Sequence, residues 1–214
     1  MNKSLLITRP EHDDTTHFLS KWSFKAVEKA SEKGITILDL HQAKATKDNV
    51  ESMISKQNPK LILFNGHGSK DVVAGHKNEP IATFQNVSFL KERIVYALSC
   101  CSAKELGKKS VDAGAEAYIG YDDDFVFVYE PTNLSRPLVD KTARMFLEPS
   151  NELIISLIKG APAEIACTRA KDSFKENIQK LLSSEASKED TYLARYVWWD
   201  LQHLVCLGDK KAFF

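Results

Sequence analysis

The sequence predicts an α/β fold: a mostly parallel sheet flanked by helices, completed by a helix-rich C-terminal portion. Three observations predict it. Short apolar runs alternate with helix-period segments through residues 1–130. Those runs, such as Leu61-Ile62-Leu63-Phe64 and Ile94-Val95-Tyr96-Ala97-Leu98, are nearly continuous, as in strands buried on both faces. After Pro131 the pattern turns mainly helical.

The elements follow in order. Ser4 to Thr8 reads as the first strand. Asp13 or Asp14 can cap a helix reaching about Lys33, with Phe18, Leu19, Trp22, Ala26, Val27 and Ala30 at helical spacing and Gly34 to end it. Ile35 to Leu40 is the second strand. Thr46 to Lys56 is a shorter helix, broken by Asn58-Pro59 before the strand Lys60 to Phe64. A loop with turn signals, Gly75 to Pro80 among them, leads to the strand Arg93 to Ser99. Ala103 to Ala113 is a helix closed by Gly114, and Ala115 to Tyr121 is the fifth strand. Helix-linked strands pair in parallel through right-handed crossovers. Beyond them, Asn133 to Phe146, Glu152 to Ile158, Pro162 to Leu182 and Lys188 to about Leu201 are helix candidates. The segment His203 to Asp209 can add a last strand.

The 214 residues are 43% hydrophobic and 27% charged, ordinary for a globular chain. One domain over residues 1–214 is expected, with a core sheet in 1–130 and its helical completion in 131–214. Zero net charge argues against a nucleic-acid partner, which calls for a basic excess. No apolar run approaches the roughly 20 residues that span a bilayer, so no membrane partner is expected. The apolar stretch after Met1 is too short for a signal peptide, and a cytoplasmic location is the expectation. The four cysteines show no zinc-type spacing, and reduced thiols are expected. Cys167 and Cys206 read as small buried hydrophobes.

Two strands each end in a reactive residue. Leu61 to Phe64 runs into Asn65-Gly66-His67-Gly68-Ser69, and Ile94 to Ser99 runs into Cys100-Cys101-Ser102. If the strands are neighbours, an imidazole and a thiol share the carboxyl edge of the sheet, where ligands collect in open α/β folds. A Cys beside a His is the unit of thiol nucleophilic catalysis. Ser102-Ala103-Lys104-Glu105 matches a capping box, which would start a helix at Ser102 and lower the thiol pKa through the helix dipole. Gly66 and Gly68 leave room for a substrate, and the Gly68 N–H is a natural oxyanion donor. His67 can serve as general acid and base. Alternation along the strand sends Cys100 and Cys101 to opposite sides, so one faces the His and the other is buried. His67 and His76 could share a metal, but spacing places no third ligand, and neither metal nor cofactor is expected.

These motifs resemble the caspase-like cysteine peptidases of clan CD, closest to the gingipain and CHAT-type members. In that group a His-Gly ends one strand and a Cys ends the next. Here Gly66-His67-Gly68-Ser69 and Ala97-Leu98-Ser99-Cys100-Cys101-Ser102 carry the match. In several families a small residue precedes the Cys and a Ser, Thr or Gly stands two places after it. That pattern implies Cys100, with Ser99 before it and Ser102 after it, as the nucleophile, and Cys101 as the runner-up. Val205-Cys206-Leu207-Gly208-Asp209 also looks like the close of gingipain-type domains, with Lys210 where a Pro is expected. The caspase stretch Gln-Ala-Cys-Arg-Gly is absent. The resemblance implies a caspase-like fold and hydrolysis of a peptide or protein substrate without a cofactor, although some members use calcium for activation. Tyr121-Asp122-Asp123-Asp124-Phe125 follows the fifth strand at the same edge. Asp122 or a neighbour is expected to select a basic residue before the scissile bond by charge complementarity. The alternatives are a catalytically silent caspase-like interaction domain and a thiol amidase or acyltransferase.

Overall fold

The computed structural model describes residues 3–184 and 186–214. In chain order the elements are β1 (Ser4–Arg9), α1 (Asp14–Glu32), β2 (Thr36–His41), α2 (Lys47–Gln57), β3 (Leu61–Asn65), β4 (Gly68–Ser69), β5 (Val72–Ala74), β6 (Pro80–Thr83), β7 (Ile94–Leu98), α3 (Leu106–Asp112), β8 (Ala117–Tyr121), α4 (Lys141–Ile158), α5 (Ala163–Leu181), α6 (Lys188–His203) and β9 (Leu204–Gly208). The central sheet has six strands in the order β2-β1-β3-β7-β8-β9. All neighbours are parallel except β9, which returns antiparallel along β8. The architecture is α/β, a mostly parallel sheet flanked by helices, as the sequence predicts.

Strand alternation builds two cores. Leu5, Ile7, Leu61, Leu63, Ile94, Tyr96 and Leu98 face α1, α4, α5 and α6. Leu6, Ile62, Phe64, Val95 and Ala97 face the other way, over α2 and α3. Burial on both faces is the reason these strands carry no polar alternation. At the open edge, β2 is only partly buried, and its Asp39 carboxylate is gripped by the Arg9 guanidinium at 2.6 and 3.0 Å. Among the described residues, no helix is long and apolar enough to cross a membrane.

Three expectations need correction. The segment after β3 is no plain loop: β4, β5 and β6 form a small antiparallel sheet. It buries Val73, Ile81 and Ala82 in the second core. Its strands are two to four residues long, too short to show a period. Second, the two helices expected on either side of Pro149 are one helix, α4. The carbonyl that Pro149 leaves without a helical partner belongs to Met145, and it accepts the Asn177 side-chain amide at 2.9 Å instead. A tertiary bond from α5 thus rescues what local propensity forbids.

Third, the capping box does not form. α3 begins at Leu106, and Glu105 caps it without a side-chain hydrogen bond. The backbone N–H groups of this stretch bond across to the chain leaving β8. Cys101 N–H bonds Asp123 O at 2.9 Å and Ala103 N–H bonds Tyr121 O at 2.9 Å. Residues 100–105 are a turn stitched to the exit of β8.

Ahead of α4, Asp140 is fully buried. Its carboxylate caps the helix through Ala143 N–H at 2.9 Å and accepts Glu130 N–H at 2.7 Å. Asp140→Ala strands both donors, and urea unfolding is expected to show a loss of about 3 kcal/mol. A loss below about 1 kcal/mol would mean that water replaces the carboxylate.

Candidate active site

The site is built where β3 and β7 end side by side. Their register pairs Asn65 with Leu98, and the ladder runs on to Gly66 N–H, which bonds Leu98 O at 3.4 Å. His67 therefore leaves β3 next to the point where Cys100 and Cys101 leave β7. The flanking glycines are demanded by close approach. A Cβ on Gly68 would lie 2.9 Å from Ser99 Oγ and 3.0 Å from Cys100 O. A Cβ on Gly66, whose φ is +146°, would lie 2.2 Å from Ala74 O.

A third strand contributes a carboxylate. β1 and β3 bracket the point where strand order reverses, the usual ligand crevice of an open α/β sheet. Asp13 lies there as the N-cap of α1. Its Oδ1 accepts Thr16 N–H and the Thr16 hydroxyl, both at 2.8 Å. That fixes the carboxylate and leaves Oδ2 to accept His67 Nε2–H at 2.8 Å. Burial alone would raise the Asp13 pKa, but the bonds from Thr16 and His67 hold it below the ordinary 3.8. With Nε2 donating to a carboxylate, neutral His67 keeps its lone pair on Nδ1, the atom left for proton transfer.

The two thiols differ. Cys100 packs against the first core, and its Sγ points to Phe125 O at 3.6 Å. Burial pushes its pKa up to about 11. Cys101 belongs to neither core cluster and sits in left-handed backbone at φ 57°. Its Sγ donates to Asp124 Oδ1 at 3.2 Å. Desolvation, together with the Asp124 and Asp123 carboxylates, pushes its pKa up to about 12. The sequence expectation of a thiol activated by a helix dipole is thus reversed: the helix starts too late, and burial, reinforced by carboxylate neighbours, raises both thiols above their ordinary pKa.

The acidic loop after β8 is fastened on its far side. Asp122, the expected specificity residue, accepts His203 Nδ1–H at 2.8 Å, in a shallow pocket with Lys104 and Lys108. Trp199 Nε1–H donates to Asp124 O at 2.9 Å. Buried Asp200 accepts Val126 N–H at 2.9 Å and has a pKa well above the ordinary 3.8, because burial outweighs that bond.

Sequence reasoning missed the acidic and histidine groups after β1. Glu11 is nearly enclosed and takes His17 Nδ1 at 2.7 Å, His41 Nε2 at 2.7 Å and Lys21 Nζ at 2.9 Å. Burial would raise its pKa, but the bonds from Lys21, His41 and His17 prevail and hold it at about 2. The missed signal was Glu11-His12-Asp13, which follows a strand at the same edge as His67.

No family model matches the chain, and no curated protein matches it. Solved structures do. The Arg specific cysteine proteinase gingipain R (RgpB) superposes with a TM-score of 0.64 at 12% identity, over 99% of this chain and 47% of that one. The fold is that of gingipain R. The complex of the Porphyromonas gingivalis RgpB pro- and mature domains matches with a TM-score of 0.60 at 12% identity, over 99% of this chain and 48% of that one. A third structure, of a protease, gives 0.51 at 13% identity, over 97% and 48%. The chain thus spans about half the length of these gingipain-fold structures.

Two outcomes follow from these environments. Asp124→Asn removes the charged acceptor at Cys101 and lowers that thiol's pKa. Iodoacetamide should then alkylate Cys101 several-fold faster at pH 8, read by peptide mass spectrometry, while an unchanged rate would mean that Asp124 does not hold the thiol. Glu11 has a depressed pKa, so its stabilisation is present above the ordinary 4.5 and is lost as pH falls toward about 2. Glu11→Gln is expected to cost about 2 kcal/mol at pH 7, and the gap from wild type in chemical denaturation should narrow below pH 4.5.

Proposed function

We propose that this chain is a cysteine peptidase working through His67 and one thiol of the vicinal pair. The observation that supports the reading is the Asp13–His67 bond, which fixes an imidazole just past the end of β3, the strand paired with β7, after which Cys100 and Cys101 follow. His67 Nδ1 takes the thiol proton, and the thiolate attacks the substrate carbonyl. The imidazolium returns the proton to the leaving amine, and His67 then activates the water that hydrolyses the acyl-enzyme. Asp13 acts as a positioning residue: it holds the ring and stabilises its charged form.

Two features favour Cys101 as the attacking thiol, in place of the Cys100 expected from sequence. Cys100 rests on apolar core, whereas Cys101 lies outside it. Cys101 also has left-handed backbone on a strand–turn–helix connection, a conformation that costs energy and marks exposed nucleophiles. Gly68 N–H is the proposed oxyanion donor. Cys101 N–H joins it only once Asp123 O lets go of that group.

Preference for a basic residue before the scissile bond rests on the three acids of the loop, Asp122 to Asp124. Gingipain R, which shares the fold, is Arg specific. The second reading, a silent interaction domain, is favoured by the engagement of both thiols with that loop.

Labelling with an Arg acyloxymethylketone probe, followed by peptide mass spectrometry, tests the proposal. The expected result is one adduct on Cys101, abolished by Cys101→Ala and slowed roughly 10²–10⁴-fold by His67→Ala. An adduct on Cys100 would move the nucleophile by one residue. Labelling no faster than free cysteine, and indifferent to His67, would leave the silent domain.

A further inference from the structure

We propose that His12, Asp13 and His67 form a binding site for one zinc-like divalent cation, and that its occupancy silences His67. The three side chains offer a ligand atom each, all within 4.8 Å of one another. Asp13 Oδ2 lies 2.8 Å from His67 Nε2 and 3.5 Å from His12 Nε2. Bonds of about 2.0 Å in a tetrahedron put ligand atoms roughly 3.3 Å apart, so small side-chain rotations would seat an ion. Asn78 Oδ1, 3.3 Å from His12 Nε2, stands beside the same opening.

The ligands are held from outside, as metal ligands usually are. Thr16 is the organiser. Its Oγ1 accepts His12 N–H at 3.0 Å and Asp13 N–H at 3.1 Å. Its N–H and hydroxyl hold Asp13 Oδ1, leaving Oδ2 facing the two imidazoles. The site is also open: Asp13 and His67 are 38% and 39% exposed, so an ion can enter and keep a water as its fourth ligand. Two imidazoles and one carboxylate suit zinc, and poorly suit calcium or magnesium, which take oxygen ligands.

The chemical consequence is specific. Binding displaces the Nε2 proton of His67 to solvent and puts the metal in its place. The neutral ring then carries its one proton on Nδ1 and has no lone pair to receive the thiol proton. This regulatory part rests on the peptidase reading; the binding part does not.

Metal binding is therefore measured directly. Zinc titration by calorimetry should show one ion per chain, and cobalt should give the strong visible bands of a four-coordinate site. His12→Gln should weaken zinc roughly 10–100-fold, with His67→Asn as a second ligand variant. Circular dichroism melts report that both are folded. Calcium should not compete. Binding that survives both variants, or that disappears with Cys101→Ser through loss of a thiolate–cobalt band, would assign the ion to Cys101, Asp123 and Asp124 and overturn the proposal. Absence of binding at millimolar zinc would overturn it too. In the probe assay, zinc should slow labelling of wild type and spare His12→Gln, whose zinc-free rate stays at the wild-type level. A chain that binds zinc through His12 yet never labels keeps the metal site and loses the peptidase.

Discussion

The whole site depends on one close contact: the backbone of Gly68 against Ser99 and Cys100. A methyl group there would stand only 2.9 Å from Ser99 Oγ and 3.0 Å from Cys100 O, so its neighbours would have to give way. That contact extends the β3–β7 pairing past the last ladder residues and brings two distant turns to one place. Around it the chain spends its polar groups locally. Thr16 fixes Asp13, Asp13 fixes His67, and the exit of β8 fixes Cys101 and Ala103.

Burial and nearby carboxylates hold both thiols above their ordinary pKa. Carboxylates surround the thiols, and no cation stands against either of them in the hydrogen bonds described. The imidazole of His67, by contrast, is held by the Asp13 carboxylate. His67 is thus fixed by Asp13, while Cys101 is engaged with the Asp123–Asp124 segment through both its N–H and its sulfur.

Much of this was legible in the chain. Apolar runs without alternation gave the buried parallel strands, and the order of turns and helices gave their crossovers. His67 and the vicinal cysteines were legible because chemistry collects at the carboxyl edge of such a sheet. What was hidden depended on contacts between distant residues. The continuity of α4 through Pro149 needs Asn177 on another helix. The turn over residues 100–105 that precedes α3 is bonded to Tyr121 and Asp123 on another strand's exit. Asp13 was visible as a helix cap, but its second oxygen meets His67 across 54 residues, which no local pattern records.

The fastening of the acidic loop has a mechanical meaning. Its residues are tied to α6 by four hydrogen bonds: the Asp122 carboxylate to His203 Nδ1, Asp122 N–H to His203 O, Asp124 O to Trp199 and Val126 N–H to Asp200. A segment hinged on a helix by four bonds does not swing out alone; it carries the helix with it or sheds those bonds in turn. Because α6 runs straight into β9, the strand that closes the sheet, uncovering the thiols would tug on the far rim of the molecule.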